Sequence, residues 1–218
     1  MLLSPWPALE SLPDLNAVPA VWRRLLGQHF EPFRRTFLQP KPEPARSIPC
    51  DHCACAHEII HQPNNSPPET RNTEHGTRIQ HPSLLAICRC SPWTCPNLHL
   101  SPADIILLEL SWPKLARALC RALGLNSHFA DVRLHQTFQI GSWSAAAVSA
   151  ILTIQSDPHE FRRVVAELVA RLRQPFILLA PTSTHLDASC AELLACAQAG
   201  FFGLDSHVRL SEHGTLQP

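Results

Sequence analysis

Cys50-Asp51-His52-Cys53-Ala54-Cys55-Ala56-His57 and Cys88-Arg89-Cys90-Ser91-Pro92-Trp93-Thr94-Cys95 are the two stretches whose reading decides the fold. Tetrahedral zinc takes four soft donors at about 2.3 Å. A two-residue gap such as Cys50 to Cys53 lets a tight turn aim both thiolates at one point while its amides donate to the sulfurs. In the second stretch, Cys88 and Cys90 are alternate residues of an expected strand and bend poorly onto one ion. Cys90 and Cys95, with Pro92 inside their turn, make the better pair. Joining two such turns through a loop of about 35 residues is affordable because closure entropy grows slowly with length. Cys50, Cys53, Cys90 and Cys95 are therefore expected to hold one structural zinc ion, with Cys55, His57 and Cys88 in reserve. An iron–sulfur cluster and free or redox-active thiols are the competing readings.

In ligand type and loop size the segment resembles the broad zinc-ribbon and treble-clef group of small modules. That resemblance covers about a fifth of the chain and implies a contact surface for protein or nucleic acid rather than a reaction. A four-thiolate site has no open coordination position and so stabilises a fold instead of performing chemistry. Asp51, His52, His61, His75 and His81 read as loop residues near the ligands, and Trp93 as an aromatic cover over the thiolates.

Proline placement explains why a metal is needed. Of the 21 prolines, 17 lie at or before Pro113, which chops the first half into pieces too short to bury much apolar surface. Three of the nine cysteines, Cys120, Cys190 and Cys196, sit in apolar helical patterns as small core residues, and the other six cluster. Clustered cysteines without a secretion signal favour metal over disulfides. The N-terminal MLLSPWPALESLPDL lacks a basic stretch and an unbroken apolar core, so a cytoplasmic, non-membrane protein is expected. A formal net charge of zero advertises neither nucleic acid nor an anionic surface globally, although a local patch is compatible with it.

The rest of the chain suggests a mixed α+β and α/β fold: an N-terminal helix and linker over 1–45, a zinc module with a helical pair over 46–125, and a small α/β domain with a partly parallel sheet over 126–218. Trp22, Leu25, Leu26, Phe30 and Phe33 fall near a 3.6 spacing between 17 and 38, giving an amphipathic helix broken near Pro32. QPKPEPARSIP reads as an extended linker, the polar segment 61–82 as a mobile loop, and SLLAICRC as a strand. Ser101 with Pro102 starts one expected helix of the pair, and KLARALCRALGL, ending at Gly124, forms the other. Then come strands TFQIGSW and VSAILTIQ, a helix capped by Asp157, strand PFILLAP, a helix from Leu186, and short strands FFGL and HVRL. A helix between VSAILTIQ and PFILLAP implies parallel neighbours.

Two further sites are legible. Lys114, Arg117 and Arg121 recur at spacings of three and four on one helical face, and with Arg89 they are candidates for nucleic-acid contact. Thr182, Ser183, His185 and Asp187 follow a strand expected to be central in a parallel sheet, where small ligands bind; helix capping accounts for the same residues. No GxSxG, GxGxxG, Walker, HExxH or paired-carboxylate pattern accompanies them. The functional expectation is a zinc-stabilised binding or regulatory protein with a nucleic-acid or protein partner; a separate reading is a pure protein-assembly adaptor that uses the helix around Trp22 and Phe30. The alternative is a small-ligand-binding or hydrolase-like α/β domain with its site at 182–187.

Overall fold

A computed structural model describes residues 4–50, 52–53, 55–62, 83–91, 95–144 and 147–218. The chain forms two compact units. One contains the N-terminus up to Asn16, Trp22–Gln39 and Glu109–Pro218; the other contains Ala17–Val21 and Pro40–Leu108. Each unit is built from non-consecutive stretches of the chain.

Helix α1 (Trp6–Glu10) buries Trp6 and Leu9, and Trp6 Nε1 donates to Val208 O at 2.6 Å. After the two-residue strand β1 (Asn16–Ala17) come α2 (Pro19–Leu26) and α3 (Phe30–Phe37). The expected break at Pro32 falls instead at Gly27, whose φ of +54° suits glycine. Pro32 lies in the first turn of α3, where its missing amide breaks no helical bond. Trp22, Phe30, Phe33 and Phe37 are buried, with the Trp22 and Phe33 rings stacked 6.2 Å apart, so this aromatic stripe serves as core.

The segment read as a linker is extended but paired. Strand β2 (Leu38–Pro44) leads to β3 (Ser47–Pro49), and Ala45 N donates to Ile105 O at 2.7 Å. Strands β3, β4 (Ala56–Gln62), β5 (Ser83–Cys88) and β6 (Leu98–Leu100) form an antiparallel sheet in that order. Most of the 61–82 segment lies outside the described residues. The first helix of the expected pair does not form. Ser101 and Asp104 close a capping box, but only a single 3-10 turn follows, over Pro102–Ile105. The chain then extends as β7 (Ile106–Leu110), because a short run of Ile and Leu is compatible with either period and the neighbouring backbone offers strand pairing. No helix-turn-helix is built.

Helix α4 (Trp112–Leu123) matches its expectation and ends at Gly124 in the left-handed region. Strands β8 (Asn126–Leu134), β9 (Thr137–Trp143) and β10 (Val148–Thr153) pair antiparallel. Helix α5 (Pro158–Arg171) follows, with Asp157 accepting from the amides of His159 and Glu160 at 2.7 and 3.2 Å. Strand β11 (Phe176–Ala180) lies parallel to β10, then α6 (Ala188–Cys196) leads to β12 (Gly200–Gly203), parallel to β11. The sheet order is β12-β11-β10-β9-β8. Phe161, Val164, Val165 and Leu168 of α5 pack with Ile151, Phe176, Leu178 and Ala180 of the sheet and with Cys190 and Leu194 of α6. Gly141 in β9 is required by closeness: a Cβ there would strike Asn126 O and stand 3.1 Å from Cys120 Sγ. Helix α7 (Leu204–His207) and strands β13 (Arg209–Leu210) and β14 (Leu216–Gln217) complete this unit. Among the described residues no helix is long and apolar enough to cross a membrane.

Candidate metal centre

The four-stranded sheet delivers its cysteines to one end. Cys50 directly follows β3, Cys88 is the last residue of β5, and Cys95 lies just ahead of β6. The turn after Cys50 closes with Cys50 N donating to Cys55 O at 3.0 Å, and His52 N donates to Cys50 Sγ at 3.3 Å. This is the amide-to-sulfur contact expected of a metal-binding turn.

Cys50, Cys53, Cys88 and Cys95 place their sulfurs all within 4.8 Å of one another, and all are free thiols. Three of the pairs are 3.5 Å (Cys50–Cys95), 3.5 Å (Cys53–Cys95) and 3.6 Å (Cys53–Cys88). These are far too long for a disulfide. A tetrahedron with Zn–S bonds of about 2.3 Å has edges of about 3.8 Å, so small shifts would seat an ion. Cys50, Cys88 and Cys95 are buried and Cys53 is half-buried. The Cys55 amide, ahead of other influences, pulls the Cys53 thiol below its usual range, whereas burial and then the neighbouring thiols push Cys95 up. Full ionisation of so tight a group needs a cation among the sulfurs.

Three of the four thiols singled out from spacing, Cys50, Cys53 and Cys95, belong to this set. The fourth member is Cys88 where spacing had favoured Cys90. Cys90 Sγ stands 3.7 Å from Cys95 Sγ, beside the set. Cys88 is the last residue of β5 and joins the set without Cys90, so the obstacle of two alternate strand residues bending onto one ion does not arise. Asp51, Pro92, Trp93, His75 and His81 lie outside the described residues.

The basic candidates are distributed over both units. Arg89 belongs to the cysteine unit and pairs with Glu58 across the sheet, Nη2 to Oε2 at 2.9 Å, both side chains exposed. Lys114, Arg117 and Arg121 are exposed on α4 in the other unit, where Arg117 Nε donates to Pro113 O at 3.3 Å.

The 182–187 segment lies at the carboxyl end of β11, where Thr182 and Asp187 are already engaged. Thr182 is buried; its amide and hydroxyl donate to the Glu10 carboxylate at 3.0 and 2.6 Å, and its hydroxyl lies 2.8 Å from that of Thr184. Burial raises the Glu10 pKa, with the Thr182 bonds opposing. Sequence gave no hint of Glu10 in this role. Asp187 caps α6, accepting from Cys190 N at 2.7 Å, and binds Arg162 Nη2 at 2.5 Å. Ser183 is exposed, and His185 Nε2 is buried without a hydrogen-bond partner among the described residues, so that nitrogen primes no hydroxyl for attack.

The same unit has a concave feature that sequence reading did not find. On the sheet face away from α5 and α6 lies a cavity of about 790 Å³, whose lining includes Trp143, Val148, Ile177, Phe202, Leu204 and His207. Trp143 and Phe202 remain 55% and 43% exposed, which marks the lining as apolar surface left uncovered by this unit.

The Arg162 contact, ahead of the Cys190 amide, lowers the Asp187 pKa from 3.8 to about 2. Because the folded value lies below the unfolded one, the stabilisation is present above about 3.8 and fades as pH falls toward 2. Asp187→Asn is expected to lower the urea midpoint at neutral pH and to flatten its decline across that acid window. An unchanged acid limb in the variant would count against the capping role. No protein-family model, curated protein or solved structure matches the chain.

Proposed function

We propose that the chain is a zinc-stabilised binding protein, in which one unit is a small module folded around zinc and the other is an α/β scaffold that supports contacts. The observation that carries this reading is the set of four mutually close thiols, three of them buried, at the end of a short sheet. Four thiolates complete a tetrahedral shell, which leaves no position for substrate or water and favours a structural ion. Thiolate ligation suits zinc, and the separation of the group from the 182–187 segment in sequence gives it no catalytic partner there. Protein purified under reducing conditions should therefore contain stoichiometric zinc by elemental analysis. Combining Cys50→Ser with Cys95→Ser should abolish its retention and remove the melting transition of that unit. Metal-free wild-type protein with unchanged melting would end the proposal.

For the partner, the exposed row Lys114, Arg117 and Arg121 supports nucleic-acid contact. Three phosphates neutralised by this row would give a salt slope of about −2.7 in log K against log salt on duplex DNA. Reversing all three residues to Glu should abolish the mobility shift and that slope; wild-type binding by the reversed variant would assign the row to solvent.

The 790 Å³ cavity favours a second reading, small-ligand binding by the α/β unit. Its size lies within the range of ligand sites, and its apolar walls with Ser206 and His207 at the lining suit an amphiphile with one hydrogen-bonding group. A fluorescent naphthalene sulfonate should bind wild-type protein and lose at least tenfold in affinity with Ile177→Asp. Equal binding by both would place the dye elsewhere and refute the reading.

A further inference from the structure

The mutually close set uses Cys50, Cys53, Cys88 and Cys95, and Cys55 and Cys90 of the same unit stand outside it. Both are half-buried and pack against the buried sulfurs of Cys50, Cys88 and Cys95. The contact made by Cys90 is the closer study. Its Sγ lies 3.7 Å from that of Cys95, against 3.5 and 3.6 Å for contacts inside the set, and neither residue is in a disulfide. A thiol that is not a ligand thus touches the sulfur of one that is.

Chain placement makes this pair easy to join. Cys90 and Cys95 both fall in the connection between β5, which ends at Cys88, and β6, which begins at Leu98. A disulfide bond is about 2.05 Å long, so the two sulfurs need to approach by only about 1.7 Å. Because both lie in one connection, that approach changes no strand register. Access is uneven across the pair. Cys95 is 3% exposed whereas Cys90 is half-buried, so a small oxidant in solvent meets Cys90 first. The ligand sulfurs have electron pairs engaged by the ion, and Cys90 keeps its own available for reaction.

We propose that Cys90 and Cys95 form a peroxide-responsive switch on the metal centre, in which oxidation joins them in a disulfide and expels the zinc ion. The proposal rests on zinc occupying the four-thiol set. In the first step the Cys90 sulfur attacks one peroxide oxygen and the O–O bond breaks. The thiol proton joins the leaving hydroxide as water, and a sulfenic acid remains. In the second step the Cys95 thiolate leaves zinc and attacks the sulfenic sulfur. The S–S bond forms, the S–O bond breaks, and the departing hydroxide takes a proton from solvent to give a second water. Two electrons pass from the two sulfurs to the peroxide, and zinc keeps its oxidation state. A disulfide sulfur is no longer a thiolate ligand, so the ion is left with three thiolates and an open position. A thiol reductant reverses the step by exchange and restores the fourth ligand.

The test uses the full chain, loaded with zinc under reducing conditions, freed of reductant and exposed to hydrogen peroxide with a chromogenic zinc chelator present. Native mass spectrometry before the oxidant is expected to show one zinc in wild type; a metal-free wild type overturns the zinc reading and the switch together. Wild type should then release zinc under peroxide, yield a Cys90–Cys95 linkage on peptide mapping, and rebind zinc after dithiothreitol. Cys90→Ser should carry one zinc and release it on the order of tenfold more slowly, whereas Cys55→Ser should release it at the wild-type rate. With zinc present in wild type, the switch alone is overturned by wild-type release from Cys90→Ser, by equal slowing in Cys55→Ser, or by a Cys90→Ser protein that holds no zinc. A linkage other than Cys90 to Cys95, or zinc retained by the disulfide form, overturns it as well. Both of these last outcomes are read in wild type and depend on no substitution.

Discussion

Sulfur atoms about 3.5 Å apart at the end of a short sheet are the constraint on which the cysteine-bearing unit depends. As thiols they are weak donors that pack loosely; as thiolates they repel one another and resist burial. A divalent cation resolves both problems, since it turns the repulsion into attraction and replaces lost hydration with short bonds. The sheet around them is too small to supply a comparable apolar core. Among the described residues of this unit the buried apolar side chains besides cysteine are Leu84, Leu85 and Ala86 of β5 with Ala17, Val18, Ala45, Ile105 and Leu108. A metal ion held by these sulfurs would therefore couple its binding to the folding of this unit.

The α/β unit meets the same requirement by ordinary means. Helices α5 and α6 cover one face of the sheet with a continuous apolar cluster, and their N-termini are satisfied by Asp157 and Asp187. This assignment has a functional consequence. At the carboxyl end of β11, where open parallel sheets often bind ligands, Thr182 is committed to Glu10 and Asp187 to the Cys190 amide and Arg162. Room for a ligand lies instead on the opposite face, against Val148, Ile177 and Phe202.

Glu10 shows how the N-terminal segment is drawn into this scaffold. Its side chain is partly buried, and burial lifts its pKa despite two bonds from Thr182. A raised carboxyl pKa contributes stability at low pH that is lost as pH rises through the folded value, so Glu10 favours position over maximal stability at neutral pH. The two bonds it accepts fix the entry into the 182–187 loop.

The sequence by itself determined the elements whose signals are local. Asp157 ahead of Pro158, Gly124 after α4, the alternation into β9 and β10 and the clustering of six cysteines are all short-range patterns with a direct physical cause. Parallel pairing of β10 with β11 followed from the helix between them. Tertiary structure decided what depends on pairing across long distances: that Ile106–Leu110 is a strand rather than a helix, that polar, exposed β8 joins the sheet, that Glu10 meets Thr182, and that Cys88 enters the four-thiol set. A five-residue run of Ile, Leu and Glu satisfies either period, and the choice fell to whichever backbone stood beside it. Likewise, spacing names the cysteines able to reach an ion, but the way the strands of the sheet end together selects which sulfurs gather.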